Sequence, residues 1–167
     1  MKTSYMAALL LASANLAMAE GPTYDYACCQ LGSPVDGGVS ASGMLLFQQQ
    51  TGRAQLKAYG ALESGEIMDA FKYLAVTDGA AVDANTCNDV AALSDNYLHK
   101  VYFDGDGMAD YEYAGAQISL ADSIGDSLSM YPDVARDGMV EACCVITQLA
   151  DKAAFCQAAA DNGIELE

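Results

Sequence analysis

Short apolar segments, each ended by glycine or proline, run along most of this chain. Gly32, Pro34, Gly43, Gly52, Gly60, Gly105, Gly107, Gly115, Gly125, Pro132 and Gly138 punctuate them at intervals that suit strands. Residues 39–49 predict one strand, small and polar early, with Leu45-Leu46-Phe47 late. Residues 55–59 alternate polar and apolar side chains, as a half-buried strand does. Thr51-Gly52-Arg53 between them predicts a tight hairpin. Residues 67–76, 97–103, 111–120, 127–131 and 141–148 complete a set of about eight strands, with the opening segment around Ala27 to Leu31. Many short strands with regular turn signals point to an all-β sandwich or barrel.

Two regions break the strand pattern. Residues 151–160 are Ala-rich, with Asp151 as a helix cap and Asn162-Gly163 as a stop signal, so they predict a short helix. Residues 1–19 carry the marks of a secretory signal peptide: Lys2, an apolar stretch over 6–18, and Ala17-Met18-Ala19 before Glu20. The expected organisation is therefore 1–19 signal peptide, 20–149 β domain and 150–167 C-terminal helical tail. No segment reads as a membrane span.

Charge narrows the functional classes. Of 167 residues, 23 are Asp or Glu and 7 are Lys or Arg, a net charge of −16. Past the leader the basic residues are Arg53, Lys57, Lys72, Lys100, Arg136 and Lys152, scattered rather than clustered. Nucleic-acid binding thus lacks its electrostatic footprint. The acidity keeps the chain soluble and suits a cationic partner or divalent ions.

Six cysteines remain: Cys28, Cys29, Cys87, Cys143, Cys144 and Cys156. In an exported chain an even number implies disulfides, without fixing their connectivity. Neighbouring cysteines on a strand point to opposite faces. One of Cys28 and Cys29 therefore faces the core, either bonded or as a buried thiol.

The order of several short motifs resembles the copper/zinc superoxide dismutase family. Ala27-Cys28-Cys29-Gln30-Leu31, Pro34-Val35-Asp36-Gly37-Gly38-Val39, Leu46-Phe47-Gln48-Gln49 and Leu56-Lys57-Ala58-Tyr59-Gly60-Ala61-Leu62 are similar to its first strands. Asp106-Gly107-Met108-Ala109-Asp110, Ile118-Ser119-Leu120, Ser127-Leu128 and Ala142-Cys143-Cys144-Val145-Ile146 are similar to its second half. The resemblance spans residues 27–146. It implies an eight-stranded Greek-key β-barrel or sandwich, with the short helix as an extension. It also implies a disulfide between Cys87 and Cys143. Because the family's first and last strands are neighbours, an outward Cys28 could reach Cys144 or Cys156, or bond to a partner or a second copy.

The family's metal chemistry is what the sequence lacks. The copper strand, Phe-His-x-His, matches Phe71-Lys72-Tyr73-Leu74, so Lys72 and Leu74 stand at the two histidine positions. Tyr131 stands near a later histidine, and Val140 where the family has an arginine. The loops that carry the zinc and charged residues are shortened, with twelve residues between Cys87 and Lys100. His99 is the chain's single histidine, and a cage of imidazoles cannot be built from one. The expectation is therefore no catalytic residues and no copper or zinc cofactor.

Asp104-Gly105-Asp106-Gly107-Met108-Ala109-Asp110 leaves two readings open, a calcium loop on Asp104, Asp106 and Asp110 or a plain hairpin turn. Tyr97, Tyr102, Phe103, Tyr111 and Tyr113 crowd one region, as core packing or as an exposed interface patch. The combined reading is a secreted, non-catalytic superoxide dismutase-like domain. It would act as a structural or protein-interaction module, with a protein partner or a second copy in an extracellular assembly or another oxidising compartment. The alternatives are a metal-binding oxidoreductase with atypical ligands and a calcium or small-ligand binder.

Overall fold

The structure, a computed structural model, describes residues 22–32, 41–63, 69–77, 97–132 and 140–167, with the side chains of 97–99 outside that description. Nine strands and one helix lie among these residues. They are β1 (Tyr24–Leu31), β2 (Gly43–Gln50), β3 (Leu56–Leu62), β4 (Ala70–Thr77), β5 (Tyr97–Phe103), β6 (Met108–Tyr113), β7 (Ser127–Tyr131), β8 (Ala142–Val145), β9 (Thr147–Leu149) and α1 (Lys152–Asp161). They form two antiparallel sheets, ordered β6-β3-β2-β1-β9 and β5-β4-β7-β8. The expected all-β class and C-terminal helix hold. Of the expected barrel or sandwich, the structure shows two packed sheets and no closed barrel, with nine strands delimited among the described residues.

The extra strand comes from the end of the domain. Residues 141–148 read as one strand, but β8 pairs with β7 and β9 pairs with β1, on different sheets. Ile146 turns the chain between them and is itself buried. The reading over 111–120 fails differently. Strand β6 starts earlier, at Met108, and ends at Tyr113, after which the chain turns. Ile118 and Leu120 alternate into the core like strand residues, but the side chain of Gln49 fixes them as a loop. Its Nε2 donates to the Ile118 carbonyl at 3.2 Å and its Oε1 accepts from the Leu120 N–H.

The main core lies between the sheets. Ala27, Cys29 and Leu31 of β1, Leu45 and Phe47 of β2, Leu74 and Val76 of β4, Leu128 and Met130 of β7, and Ala142 and Cys144 of β8 all meet there. Gly60 lets this core close. A Cβ on it would lie 2.8 Å from the Phe103 ring and 3.0 Å from Leu45, inside normal contact.

A second cluster forms on the outer face of the five-stranded sheet, where Leu46 and Tyr59 meet Phe155, Ala159 and Ile164 of the tail. The unbroken run Leu45-Leu46-Phe47 is thereby explained, because β2 is buried on both faces. Helix α1 is well delimited. The Asp151 carboxylate accepts from the Ala154 N–H at 2.9 Å, a cap of its first turn. At the other end Gly163 adopts φ 68° and the Ile164 N–H returns to the Ala159 carbonyl at 2.9 Å. That closure brings Ile164 down onto the sheet beside Phe155.

Candidate functional site

Strand β4 carries Lys72 and Leu74, the two positions that the sequence resemblance aligns with copper ligands. Leu74 and Val76 point into the core, and Lys72 shares their parity, opposite the buried Val101. Leu74 is thus plain core. Lys72 is buried, and its Nζ meets Glu141 Oε1 at 2.9 Å. Glu141 is positioned by its backbone, with its N–H donating to Met130 at 2.8 Å and its carbonyl accepting from Ala41 at 3.2 Å. Its Oε2 has no hydrogen-bond partner among the described residues, nor has the buried Oγ of Ser129. Tyr131, opposite Tyr73, is also buried, and burial pushes its phenol up. An ammonium paired with a carboxylate offers a metal cation repulsion at one of the positions where a ligand would stand. His99 lies on β5, where the register with β4 passes from Lys100 to Leu98 and leaves it out of the pairing.

The calcium candidates separate. Asp104 Oδ1 accepts from the N–H groups of Asp106 at 2.9 Å and Met108 at 2.8 Å, closing the turn between β5 and β6. The Gly107 N–H adds a bond to the Asp104 carbonyl at 3.0 Å. One carboxylate oxygen is therefore engaged in holding the hairpin. Asp104 and Asp110 line one groove of about 420 Å³ with Ile164, Glu165 and Glu167, and Asp106 is not part of its lining. Burial, then the charge of Glu167, raises the Asp110 carboxyl above its ordinary range, while Lys57 opposes them. Among the described residues no three His, Cys, Asp or Glu side chains are grouped to hold a metal.

The cysteines follow strand parity. Cys29 and Cys144 both face the core and are bonded to each other, with Cα atoms 5.5 Å apart. The reading that gave Cys144 to Cys28 is corrected. Cys28 lies on the outer face of β1, is a free thiol packed against the second cluster, and is pushed up by burial. Cys156 is free and exposed on α1. Cys143 is disulfide-bonded, and its expected partner Cys87 lies outside the described residues. The 115-residue separation of Cys29 and Cys144 makes their bond worth roughly 4–5 kcal/mol in the chain-entropy account.

The tyrosines divide between the two readings. Phe103 and Tyr113 are core, and Tyr111 packs on Tyr113 with centroids 4.6 Å apart. The side chain of Tyr97 lies outside the described residues. Tyr102 is exposed, and directly opposite it on β4 is Phe71, at 46 % exposure the most open large apolar side chain described. Their centroids are 5.0 Å apart, and Lys100 Nζ lies 4.4 Å from the centre of the Phe71 ring. The Tyr102 hydroxyl donates to Asp69, a bond that raises the phenol. Reading Phe71 only as part of a metal strand missed this face. The signal was available in parity, since Lys72, Leu74 and Val76 inside leave Phe71 outside. Glu141 carried no such signal, because its partner is 69 residues away.

No helix among the described residues is long and apolar enough to cross a membrane. No protein-family model matches this chain, and no curated protein matches it.

Proposed function

We propose that this chain is a secreted, non-catalytic superoxide dismutase-like domain that serves as a structural or protein-interaction module. The observation that carries the reading is the buried Lys72–Glu141 pair, which puts an ammonium at a position the resemblance reserves for a copper ligand. The strand order supports the Greek-key part of the proposal. Strand β6 lies beside β3 after β4 and β5 have been built in the other sheet, the kind of return connection a Greek key uses. Counting β8 and β9 as one bent strand, since only Ile146 separates them, makes eight. The buried Cys29–Cys144 bond is compatible with export to an oxidising compartment.

Two measurements test the proposal. Protein purified from its source is assayed for bound copper and zinc and for superoxide turnover, and its native mass is taken in crude extract beside a non-reducing gel. A stoichiometric assembly without turnover supports the module. Turnover by copper-loaded protein replaces it with the oxidoreductase alternative. The calcium alternative is tested at the groove lined by Asp104, Asp110, Glu165 and Glu167. A melting temperature that rises with calcium would favour that reading, since a ligand of the folded state stabilises it.

A further inference from the structure

The outer face of the four-stranded sheet carries an aromatic pair that the core does not use. Phe71 and Tyr102 are 46 % and 39 % exposed and meet across β4 and β5 with their rings tilted 56° to one another. Isolated exposed aromatics are ordinary, but three features set this pair apart. The first is a cation already on it: Lys100 places its ammonium 4.4 Å from the Phe71 centroid, within cation–π range. The second is its anchoring. Asp69, which accepts from the Tyr102 hydroxyl, has φ 61°, the one positive φ at a non-glycine among the described residues. Its N–H is tied to the Asp104 carbonyl at 3.0 Å, so the conformation that fixes Tyr102 is held from two sides. A non-glycine backbone kept in the left-handed region persists only where its surroundings over-determine it. The third is charge. Asp69 and Asp104 are exposed and act on the tyrosine with their charges, on a chain whose net charge is −16.

We propose that the Phe71–Tyr102 face docks an arginine-bearing segment of a partner protein, a proposal that rests on the interaction-module reading. The ring faces attract a cation, and the adjoining carboxylates pair with it. Arginine suits this arrangement better than lysine, because its planar guanidinium stacks on a ring while its fork reaches a carboxylate. Aromatic residues and arginine are also the side chains that most often anchor interfaces. Lys100 is then a resident competitor for the Phe71 ring, and a partner's guanidinium would displace it.

The test uses the purified, disulfide-intact protein and a fluorescent peptide alternating arginine and serine, followed by anisotropy at about 0.15 M salt, where loose surface attraction is screened. Saturable binding is expected, with a glutamate–serine peptide of the same length failing to bind. Phe71→Ala and Tyr102→Ala should each weaken binding about tenfold. Tyr24→Ala, an equally exposed aromatic on the other sheet, should leave it unchanged. Lys100→Ala should tighten binding by about two- to fivefold, the size of one exposed cation–π contact. Absence of saturable binding by the arginine peptide overturns the proposal. So does full affinity in Phe71→Leu, which keeps an apolar surface but has no ring. Melting curves of each variant confirm the fold. If the endogenous protein migrates in an assembly while the peptide does not bind, the docking proposal fails and the module reading stands. If it migrates as a free monomer, the module reading fails on its own measurement.

Discussion

The two sheets share one core but treat their outer faces in opposite ways. The five-stranded sheet is covered by its own chain, with Phe155, Ala159 and Ile164 laid over Leu46 and Tyr59. The four-stranded sheet leaves Phe71, Lys100 and Tyr102 open at one end, while Ser127 and Ser129 are fully buried at the other. Both outer faces carry aromatic side chains. On the first they are satisfied by Phe155, which lies 5.1 Å from Tyr26 and 6.1 Å from Tyr59, centroid to centroid. On the second they meet each other, a lysine and water. A cation held on an exposed ring is surface chemistry, whereas a phenylalanine seated among leucine and tyrosine is core chemistry. The difference separates a face finished by folding from one left available.

The largest effect should come from the charged pair. Lys72→Met leaves the Glu141 carboxylate buried and uncompensated, and a loss of about 3–5 kcal/mol is expected in denaturant unfolding. Lys72→Met combined with Glu141→Leu should recover most of it, because apolar replacements of a buried pair come close to neutral. A single variant within about 0.5 kcal/mol of wild type, as at an ordinary surface site, would show that the pair does not hold this end of the sheet.

Next comes Phe155→Ala. It should cost about 3 kcal/mol, the lower range for a buried phenylalanine. The loss should appear first as hydrogen exchange in α1, because a ten-residue helix is not stable without its packing. Equal loss of protection in β4 and β7 would break the distinction between the faces.

The smallest effect concerns Asp110. Its carboxyl is raised in the folded state by burial and then by Glu167, so the folded chain holds this proton more tightly than the unfolded one. Stability contributed by this group therefore falls as pH rises from the ordinary 3.8 through the raised folded value. Below 3.8 both states are protonated and the contribution is flat. Asp110→Asn should raise the melting temperature slightly at neutral pH and leave it unchanged in acid. An unchanged melting temperature at both would show that the tail feels no repulsion there.

Much of this fold was legible in residue patterns, and its failures share a cause. The hairpin at Thr51–Arg53 and the helix stop at Asn162-Gly163 are local, and both are found where expected. The strand over 111–120 failed because a loop anchored by Gln49, about 70 residues away, buries Ile118 and Leu120 with the period of a strand. The single strand over 141–148 failed because nothing in its sequence tells which sheet each half will join. Within the candidate site, strand parity could have found the open Phe71 and the inward Cys29. The Lys72–Glu141 pair could not be found that way, since a contact between distant residues leaves no local periodicity.

The turn at Ile146 has a consequence for how the protein is made. Strand β1 pairs with β2 on one side, but its other edge waits for β9, and Cys29 waits for Cys144. At a synthesis rate of roughly 5–20 residues per second, the 115-residue gap leaves that edge and thiol unmatched for about 6–23 s. Completion of the sandwich is therefore a late event of biosynthesis, and a nascent chain truncated before Ala142 would present an open strand edge and an unpaired core cysteine to whatever lies nearby.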